Sequence, residues 1–392
     1  MTKAIASSII PANLLLGRKD VDRIEEVEII EEFKMHNPSG RFVMRLKLNP
    51  AGLAFSEFVP SETEWFVFAD PEYPFGEIDF FPSGTGGVDK TFPHQALNIE
   101  IAVDDWRTGK VCLSEQFAAF GDSFFSNEPF TAEERLAWHI KRALGWLQSA
   151  SRNELLANGH FFEMPVFENQ VGDDSLIAFV ESNDSFEVWQ NNQNSVGFFE
   201  YHVSPANNIF LVNKFLNLSK KPFLAPNWGD YVYSLQTPKK FGVWIKLESL
   251  PIVPPWQAPL TWEELKFCLQ KQNINLDECI DSLFSSRTEK DRIDSLALIG
   301  FPIPDKIGEK YERYHWQGVK LPPLKFRDSS VNGFRPSEEA AGRANRNILT
   351  DSTPIEWIKS ENWFPDQIRS RGGLSENILG CVDTNQLNCS LK

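Results

Sequence analysis

Apolar and polar positions alternate along the first part of the chain. Segments rich in branched and aromatic side chains are separated by turn-forming stretches such as HNPSG. A period of two is typical of strands that bury one face, and clusters of Pro, Gly and Asn between them indicate tight connections. The pattern predicts an antiparallel strand meander, whose strands are residues 25–35, 41–50, 64–71 and 77–84.

The hydrophobic period then changes to that of a helix. Residues 131–150 place their large apolar side chains three or four positions apart, which is typical of an amphipathic helix. Its predicted buried face consists of Leu136, Ile140, Leu144 and Leu147. Thr131 and Glu134 have the spacing of a capping box, so we expect the helix to begin there. A shorter helix over 151–159 and an extended stretch over 161–167 are predicted to follow.

A second β-rich region makes up most of the remaining chain. Its strands are predicted at residues 175–182, 185–192, 196–203, 208–216, 230–236, 241–247 and 295–304. The Pro-rich connector 249–259 leads into a helix over 261–272, where Thr261 and Glu264 form another capping-box pattern. A further helix is predicted over 276–284. This succession of strands and helices indicates an α+β fold.

Length and composition divide the chain and exclude several classes of partner. We predict an N-terminal domain over 1–168, a β-rich mixed α+β domain over 169–345 and a tail over 346–392. The net charge of −15 argues against nucleic acid as a partner, since phosphate binding needs clustered Lys and Arg. The chain lacks both a long apolar run and a signal-peptide pattern, so we expect no membrane partner and a cytoplasmic location.

The cysteines argue against a metal centre. The five cysteines are scattered and form no CxxC pair, so neither a disulfide framework nor a zinc site is indicated. We therefore expect no metal and no organic cofactor.

Cys112 is the main candidate for covalent chemistry. It follows a charged loop, and Gly109 permits a tight backbone just before it in the stretch TGKVCL. A thiol that takes part in acyl transfer needs access and stabilisation of the oxyanion, and does not always need a histidine base. The alternative is a small buried hydrophobic residue, which is the usual role of a lone intracellular cysteine.

His94 and Asn98 lie shortly before this cysteine, by 18 and 14 residues (112 − 94 and 112 − 98). The Asn98 amide is a candidate donor to the oxyanion, a role that is typically worth about 3–4 kcal/mol. The structural alternative is that Asn98 braces its own loop and His94 is a satisfied turn residue. Chemistry alone favours that alternative.

The order of these pieces resembles ubiquitin-conjugating enzymes over roughly residues 20–167. The matching residues are Tyr73-Pro74-Phe75, the His94 and Asn98 of FPHQALN, and Gly109-Lys110-Val111-Cys112-Leu113. The stretch ERLAWHIKRALGWLQSASRNELLANGHFFEMP is similar to the bacterial branch of that family. Members of that branch are often fused to an adenylating, ubiquitin-activating-like module of the ThiF type.

The resemblance implies a function and its partners. Residues 1–168 would be a ubiquitin-conjugating-like domain in which Cys112 carries an acyl group as a thioester, with Asn98 and His94 beside it. Residues 169–345 would be a linker domain, and 346–392 would lead toward an adenylation module. The implied partners are a ThiF-type activating protein or module and the C-terminus of a ubiquitin-like protein or a cGAS-like nucleotidyltransferase. Such fusions belong to anti-phage cyclic-oligonucleotide systems.

The sequence departs from the family at two places. The His-Pro-Asn tripeptide is replaced by Pro93-His94-Gln95-Ala96-Leu97-Asn98, and no Gly-rich ATP-binding strand follows LSENIL. We expect a truncated or frameshifted fusion, or a protein that works with a separate activator. Two alternatives to a thioester carrier remain. One is a scaffold that binds the carrier protein without catalysis, and the other is a Cys–His hydrolase that uses Cys112 with His94 or His139.

Overall fold

The chain forms two compact units in a computed structural model. The structure describes residues 9–113, 128–168, 174–204, 208–226, 228, 239–276, 278–279, 293–321 and 353–364. The first unit comprises Met1–Val166 and Pro254–Gln257, and the second comprises Phe167–Val253 and Ala258–Lys392. Both units mix strands and helices, so the predicted α+β class is confirmed.

The first unit contains a four-stranded antiparallel sheet with the order β1-β2-β3-β4. Its elements are α1 (Ala12–Val21), β1 (Val27–His36), β2 (Arg41–Leu48), β3 (Thr63–Ala69), β4 (Ile78–Pro82) and α2 (Arg135–Ser151). The four strands confirm the predicted meander. Helix α1 was not predicted, because its exposed Leu15 and Leu16 obscure an apolar face.

Helix α2 packs its apolar face against one side of this sheet. All four residues predicted for that face are buried, in one cluster with Met44, Trp65, Val67 and Phe80 of the sheet. Burial of such side chains contributes roughly 1.5–3 kcal/mol each. The prediction of this helix face is therefore confirmed.

The start of α2 differs from the prediction. Thr131 Oγ1 donates to Glu134 Oε2 over 2.9 Å, and the helix begins only at Arg135. The hydroxyl of Tyr73 accepts the Leu136 N–H at 3.1 Å and donates to the Ala132 carbonyl at 2.7 Å. The predicted capping box is thus wrong, because a tyrosine distant in sequence satisfies the helix end.

Residues that follow α2 form turns, so the predicted helix over 151–159 is also wrong. Asn153 has a φ of 58°, which interrupts helical geometry immediately after Ser151.

The opposite side of this sheet is also apolar. Phe66 and Phe68 are buried there, and the Trp106 ring lies 5.5 and 5.1 Å from theirs. Trp106 belongs to the loop that leads toward Cys112. The next residue, Arg107, donates to the side-chain and main-chain oxygens of Asn98. Packing on the outer side of the sheet therefore helps to fix the loop that precedes the candidate site.

The second unit is a closed sheet. Its strands are β5 (Leu176–Phe179), β6 (Val196–Val203), β7 (Ile209–Leu216), β8 (Pro222–Leu224), β9 (Lys240–Lys246), β10 (Ile293–Ile303), β11 (Arg313–Lys320) and β12 (Glu356–Asn362). The order is β5-β12-β11-β10-β9-β6-β7-β8, and β5 also pairs with β7. Seven strands therefore form a ring, and β8 pairs with the C-terminal end of β7.

Helix α3 (Asn183–Asn191) contributes to an aromatic core within this unit. The Trp189 ring lies 4.6 Å from Trp316, 4.9 Å from Phe215 and 5.2 Å from Trp244. A strand was predicted over 185–192, and that prediction is wrong. The Ser182 side chain caps the helix in a capping box with Ser185, and the buried residues follow a helical spacing.

One carboxyl group lies within this core. Glu181 is fully buried, and its Oε1 accepts the indole N–H groups of Trp189 at 2.9 Å and Trp316 at 2.8 Å. Its Oε2 accepts the Ser185 hydroxyl. Burial raises the pKa of Glu181 to about 7.

Helix α4 (Trp262–Gln270) begins with the predicted capping box of Thr261 and Glu264, which is confirmed. Strands were also predicted correctly at β5, β6, β7, β9 and β10. The predicted strand over 230–236 and most of the predicted helix over 276–284 lie outside the described residues. Of the predicted tail over 346–392, residues 353–364 are described and contain β12; the rest lies outside them.

Candidate active site around Cys112

Cys112 lies between two anchored neighbours in the first unit. Val111 is 5% exposed, and its N–H donates to the Phe80 carbonyl of β4 at 3.1 Å. Leu113 is 6% exposed, and its carbonyl accepts Nε of Arg142 from α2. Cys112 itself is half-buried, and its N–H donates to the His94 carbonyl at 2.8 Å. The thiol is therefore carried on a backbone that is fixed on both sides.

Gly109 is needed because side-chain amides approach its backbone closely. A Cβ atom there would lie 2.5 Å from Asn98 Oδ1 and 2.6 Å from Gln95 Nε2. Gln95 Nε2 also donates to the Gly109 carbonyl at 3.0 Å. The glycine three residues before Cys112 thus has a packing role, in addition to the tight backbone that was expected of it.

Asn98 is buried and uses its whole amide group within the loop. Its Nδ2 donates to the carbonyls of Val88 at 2.8 Å and Lys90 at 2.9 Å, and its Oδ1 accepts Nε of Arg107 at 3.2 Å. This arrangement is that of the structural alternative, in which the amide braces its own loop. A role for Asn98 at an oxyanion stays a prediction, and it requires one of the two donated bonds to open.

His94 is held by Glu163 and Leu155. Its Nδ1 lies 2.7 Å from Glu163 Oε2, and its Nε2 lies 3.1 Å from the Leu155 carbonyl. A carbonyl and a carboxylate are both acceptors, so these two contacts favour protonation of the ring. The Glu163 carboxylate accordingly raises the pKa of His94. These contacts fit the structural alternative of a turn residue, and a role for His94 beside Cys112 stays a prediction.

The second histidine of the hydrolase alternative belongs to a different cluster. His139 Nε2 lies 2.7 Å from Glu128 Oε1, which Arg135 also contacts at 2.6 Å. Burial lowers the pKa of His139, so the neutral ring is favoured. This cluster holds the segment before α2 against the helix.

Several residues around Cys112 were missed by sequence reasoning. They are Glu163, Gln95, Arg107 and Arg142. Glu163 lies 69 residues from His94 in sequence, and no motif links the two. Gln95 and Arg107 are close in sequence to the site. The sequence does not show, however, whether a polar side chain in a loop hydrogen-bonds to the neighbouring backbone or faces solvent.

The described residues hold no cluster of three or more His, Cys, Asp and Glu side chains placed for a metal ion. In the same ranges, the helices are too short or too polar to cross a membrane. Cys268 and Cys279 are buried, and burial raises the pKa of each thiol to about 11.

Comparison with known proteins defines the class of this chain. Residues 153–363, more than half of its length, match the family described as the Cap2 central linker domain, and the chain belongs to that family. The match includes Leu155 and Glu163, which contact His94 in the first unit.

A curated relative extends the similarity beyond that domain. The chain is 29% identical over 327 residues to the ATP-dependent ubiquitin transferase-like protein Cap2 of Enterobacter hormaechei subsp. hoffmannii (strain UCI 50). The aligned region covers 82% of this chain and 54% of the relative. The chain therefore spans about half the length of the curated relative that it matches.

Proposed function

We propose that this chain acts in ubiquitin-like conjugation as a thioester carrier in which Cys112 is the acceptor thiol. The observation that carries the proposal is the half-buried cysteine on a backbone anchored at Val111 and Leu113. Membership of the Cap2 linker family and similarity to a ubiquitin transferase-like protein support it. The ubiquitin-conjugating-like nature of residues 1–168 is part of this proposal.

The reaction consists of two acyl transfers at one sulfur. The Cys112 thiol loses its proton, and the thiolate attacks the C-terminal carbonyl carbon of a carrier protein bound as a thioester to an activating enzyme. A new S–C bond forms, the old S–C bond breaks, and the departing thiolate takes up a proton. An amine of the target then attacks the same carbonyl, an amide forms with loss of one amine proton, and Cys112 regains its thiol. These two acyl transfers need no oxidant or reductant.

The partners follow from this chemistry. The acyl donor is a ThiF-type activating protein or module. The carrier is the C-terminus of a ubiquitin-like protein or of a cGAS-like nucleotidyltransferase. The resemblance stated above favours anti-phage defence in the cytoplasm as the setting. Neither transfer at Cys112 requires a metal or an organic cofactor.

A scaffold without catalysis is the second candidate function. The observation that favours it is the Asn98 amide, whose two N–H groups are already donated to Val88 and Lys90. Such a scaffold would bind the carrier protein equally well without the Cys112 sulfur. The hydrolase alternative is disfavoured by His94, because both ring nitrogens already have partners.

A charging experiment separates these functions. Wild-type protein and Cys112→Ser are incubated with ATP in a lysate of the source organism, and adducts are sought by non-reducing gels and mass spectrometry. We expect a thiol-labile adduct on the wild type and a thiol-resistant ester on the serine variant. If a lysate that charges a positive control gives neither adduct, the thioester carrier is excluded. Carrier binding that persists in both proteins would then establish the scaffold.

A further inference from the structure

We infer that Glu163 is a positioning residue for Cys112 and that it acts through the backbone of His94. The inference rests on the proposed thioester function and names a residue that this function would need. Glu163 lies in the matched linker-family region, so the inference also assigns part of the Cys112 site to that region.

Glu163 contacts both the main chain and the side chain of His94. Its Oε1 and Oε2 accept the His94 N–H at 3.0 and 3.1 Å, and Oε2 lies 2.7 Å from Nδ1. The two side chains are 19% exposed for His94 and 28% for Glu163, so solvent screens this pair less than a surface pair. One carboxylate therefore contacts both the backbone and the ring of its partner.

His94 needs such restraining contacts because its backbone is in the left-handed region. Its φ is 58°, which residues with a Cβ rarely adopt unless surrounding bonds hold them there. The Leu155 carbonyl adds a third restraint at Nε2. Without Glu163, we expect His94 to return toward ordinary backbone angles.

The conformation of His94 determines where its carbonyl points, and that carbonyl accepts the Cys112 N–H at 2.8 Å. The neighbouring loop is restrained in a similar manner. Thr91 Oγ1 donates to Gln257 Oε1 at 3.2 Å, and the Trp256 N–H donates to the Thr91 carbonyl at 3.1 Å. Gln257 also lies in the matched region, so two separate segments of that region restrain the loop that contacts Cys112.

The test compares four full-length proteins: wild type, Glu163→Ala, the double variant Glu163→Ala/His94→Gly, and Glu154→Ala. Glu154 is the matched control, because its side chain is 61% exposed and contacts only Arg152 at 4.0 Å among the ion pairs of the described residues. Glycine at 94 adopts the left-handed conformation without restraining contacts. The double variant therefore distinguishes a backbone role of Glu163 from a general loss of stability.

Two readouts are measured on each protein. The first is hydrogen exchange of the Cys112 amide by mass spectrometry or NMR, which does not depend on any function. The second is the rate of acyl transfer to Cys112 from a Gly-Gly peptide thioester of mercaptoethanesulfonate, followed by peptide mass spectrometry. This probe replaces the unidentified carrier and its activator.

We expect Glu163→Ala to speed exchange of the Cys112 amide and to slow acyl transfer, each by about tenfold, because the amide loses a held acceptor. The double variant should recover a large part of both losses, and Glu154→Ala should match the wild type. Unchanged exchange in Glu163→Ala, or loss without recovery in the double variant, overturns the inference. Faster exchange together with no acyl transfer in any protein, wild type included, retains the positioning contact and rejects the proposed function.

Discussion

At the residue scale, two side-chain amides brace the loops around Cys112. Asn98 and Gln95 both pack against Gly109, and each donates to main-chain carbonyls of the surrounding loops. The position of Asn98 in the motif could be predicted from the sequence, but the direction of its amide could not. That direction depends on Val88 and Lys90, which act through carbonyl groups that every residue has.

The close contacts at Gly109 give a direct prediction. Gly109→Ala would place a Cβ atom 2.5 Å from Asn98 Oδ1, so the loop has to move. We expect a loss of about 1–3 kcal/mol in the free energy of unfolding, together with slower acyl transfer to Cys112. Urea unfolding measures the first effect, and the peptide-thioester assay measures the second.

Gly145 provides the matched control, because a Cβ atom there meets nothing within 4 Å. It lies within α2, where Gly→Ala is expected to stabilise by about 0.5–1 kcal/mol. If both alanine variants lowered stability equally, close packing at Gly109 would not be the cause.

Glu181 predicts a pH dependence of the second unit. Its pKa is raised to about 7 in the fold, so the protonated form is favoured there. The stability that this proton contributes is fully present below the ordinary carboxyl pKa of about 4.5, and it is lost as the pH rises through about 7. The expected loss is roughly 3 kcal/mol.

The Glu181→Gln variant keeps the shape and an acceptor for both indoles but does not titrate. We therefore expect the difference in unfolding free energy between wild type and variant to change between pH 5 and pH 8. Unfolding followed by tryptophan fluorescence at each pH measures this difference. Parallel pH profiles for the two proteins would contradict the assignment.

At the element scale, the capping-box patterns correctly predicted that a helix follows, but they did not always predict the residue at which it begins. The capping box at Thr261 appears in the structure: Thr261 Oγ1 accepts the Glu264 N–H at 3.3 Å, and Glu264 Oε2 accepts the Thr261 N–H at 3.3 Å. The same pattern at Thr131 fails, because Tyr73 arrives from the turn after β3 and accepts the Leu136 N–H. A tertiary contact of that kind has no trace in a local window of sequence.

The two helix starts therefore respond differently to mutation. Thr261→Ala removes a side-chain cap and should cost about 1 kcal/mol, whereas Thr131→Ala should cost less than about 0.5 kcal/mol. Tyr73→Phe removes the hydroxyl that caps α2 and should cost about 1–2 kcal/mol. Urea unfolding of the three variants tests the order. If Thr131→Ala lowered the free energy of unfolding as much as Tyr73→Phe, the result would support the predicted capping box at Thr131.

At the scale of the whole molecule, the sequence predicted the α+β class and most strands, but not the closure of the second sheet. Closure depends on β12, which pairs in parallel with β5 although 183 residues separate Leu176 from its partner Lys359 (359 − 176). Short strands carry no information about such distant partners. The contact between Glu163 and His94 was unpredictable for the same reason.

The closed sheet predicts a sharp limit for truncation. A chain that ends at residue 364 keeps β12, whereas a chain that ends at residue 352 loses it together with the buried Ile355, Trp357 and Ile358. These three side chains contribute roughly 5–8 kcal/mol, which is comparable to the whole stability of a typical domain. We expect cooperative unfolding of the second unit in the longer chain only. Thermal unfolding of both chains makes the comparison, and similar transitions would show that β12 is dispensable.

The pairing of β5 with β12 also determines when the second unit can fold in the cell. Its first strand leaves the ribosome long before its last, and the ring cannot close until Asn362 has been synthesised. During that interval β5 has an unpaired edge, which is a site for wrong pairing or for binding by a chaperone. Translation speed over the intervening residues should therefore influence how much of the protein reaches its native state.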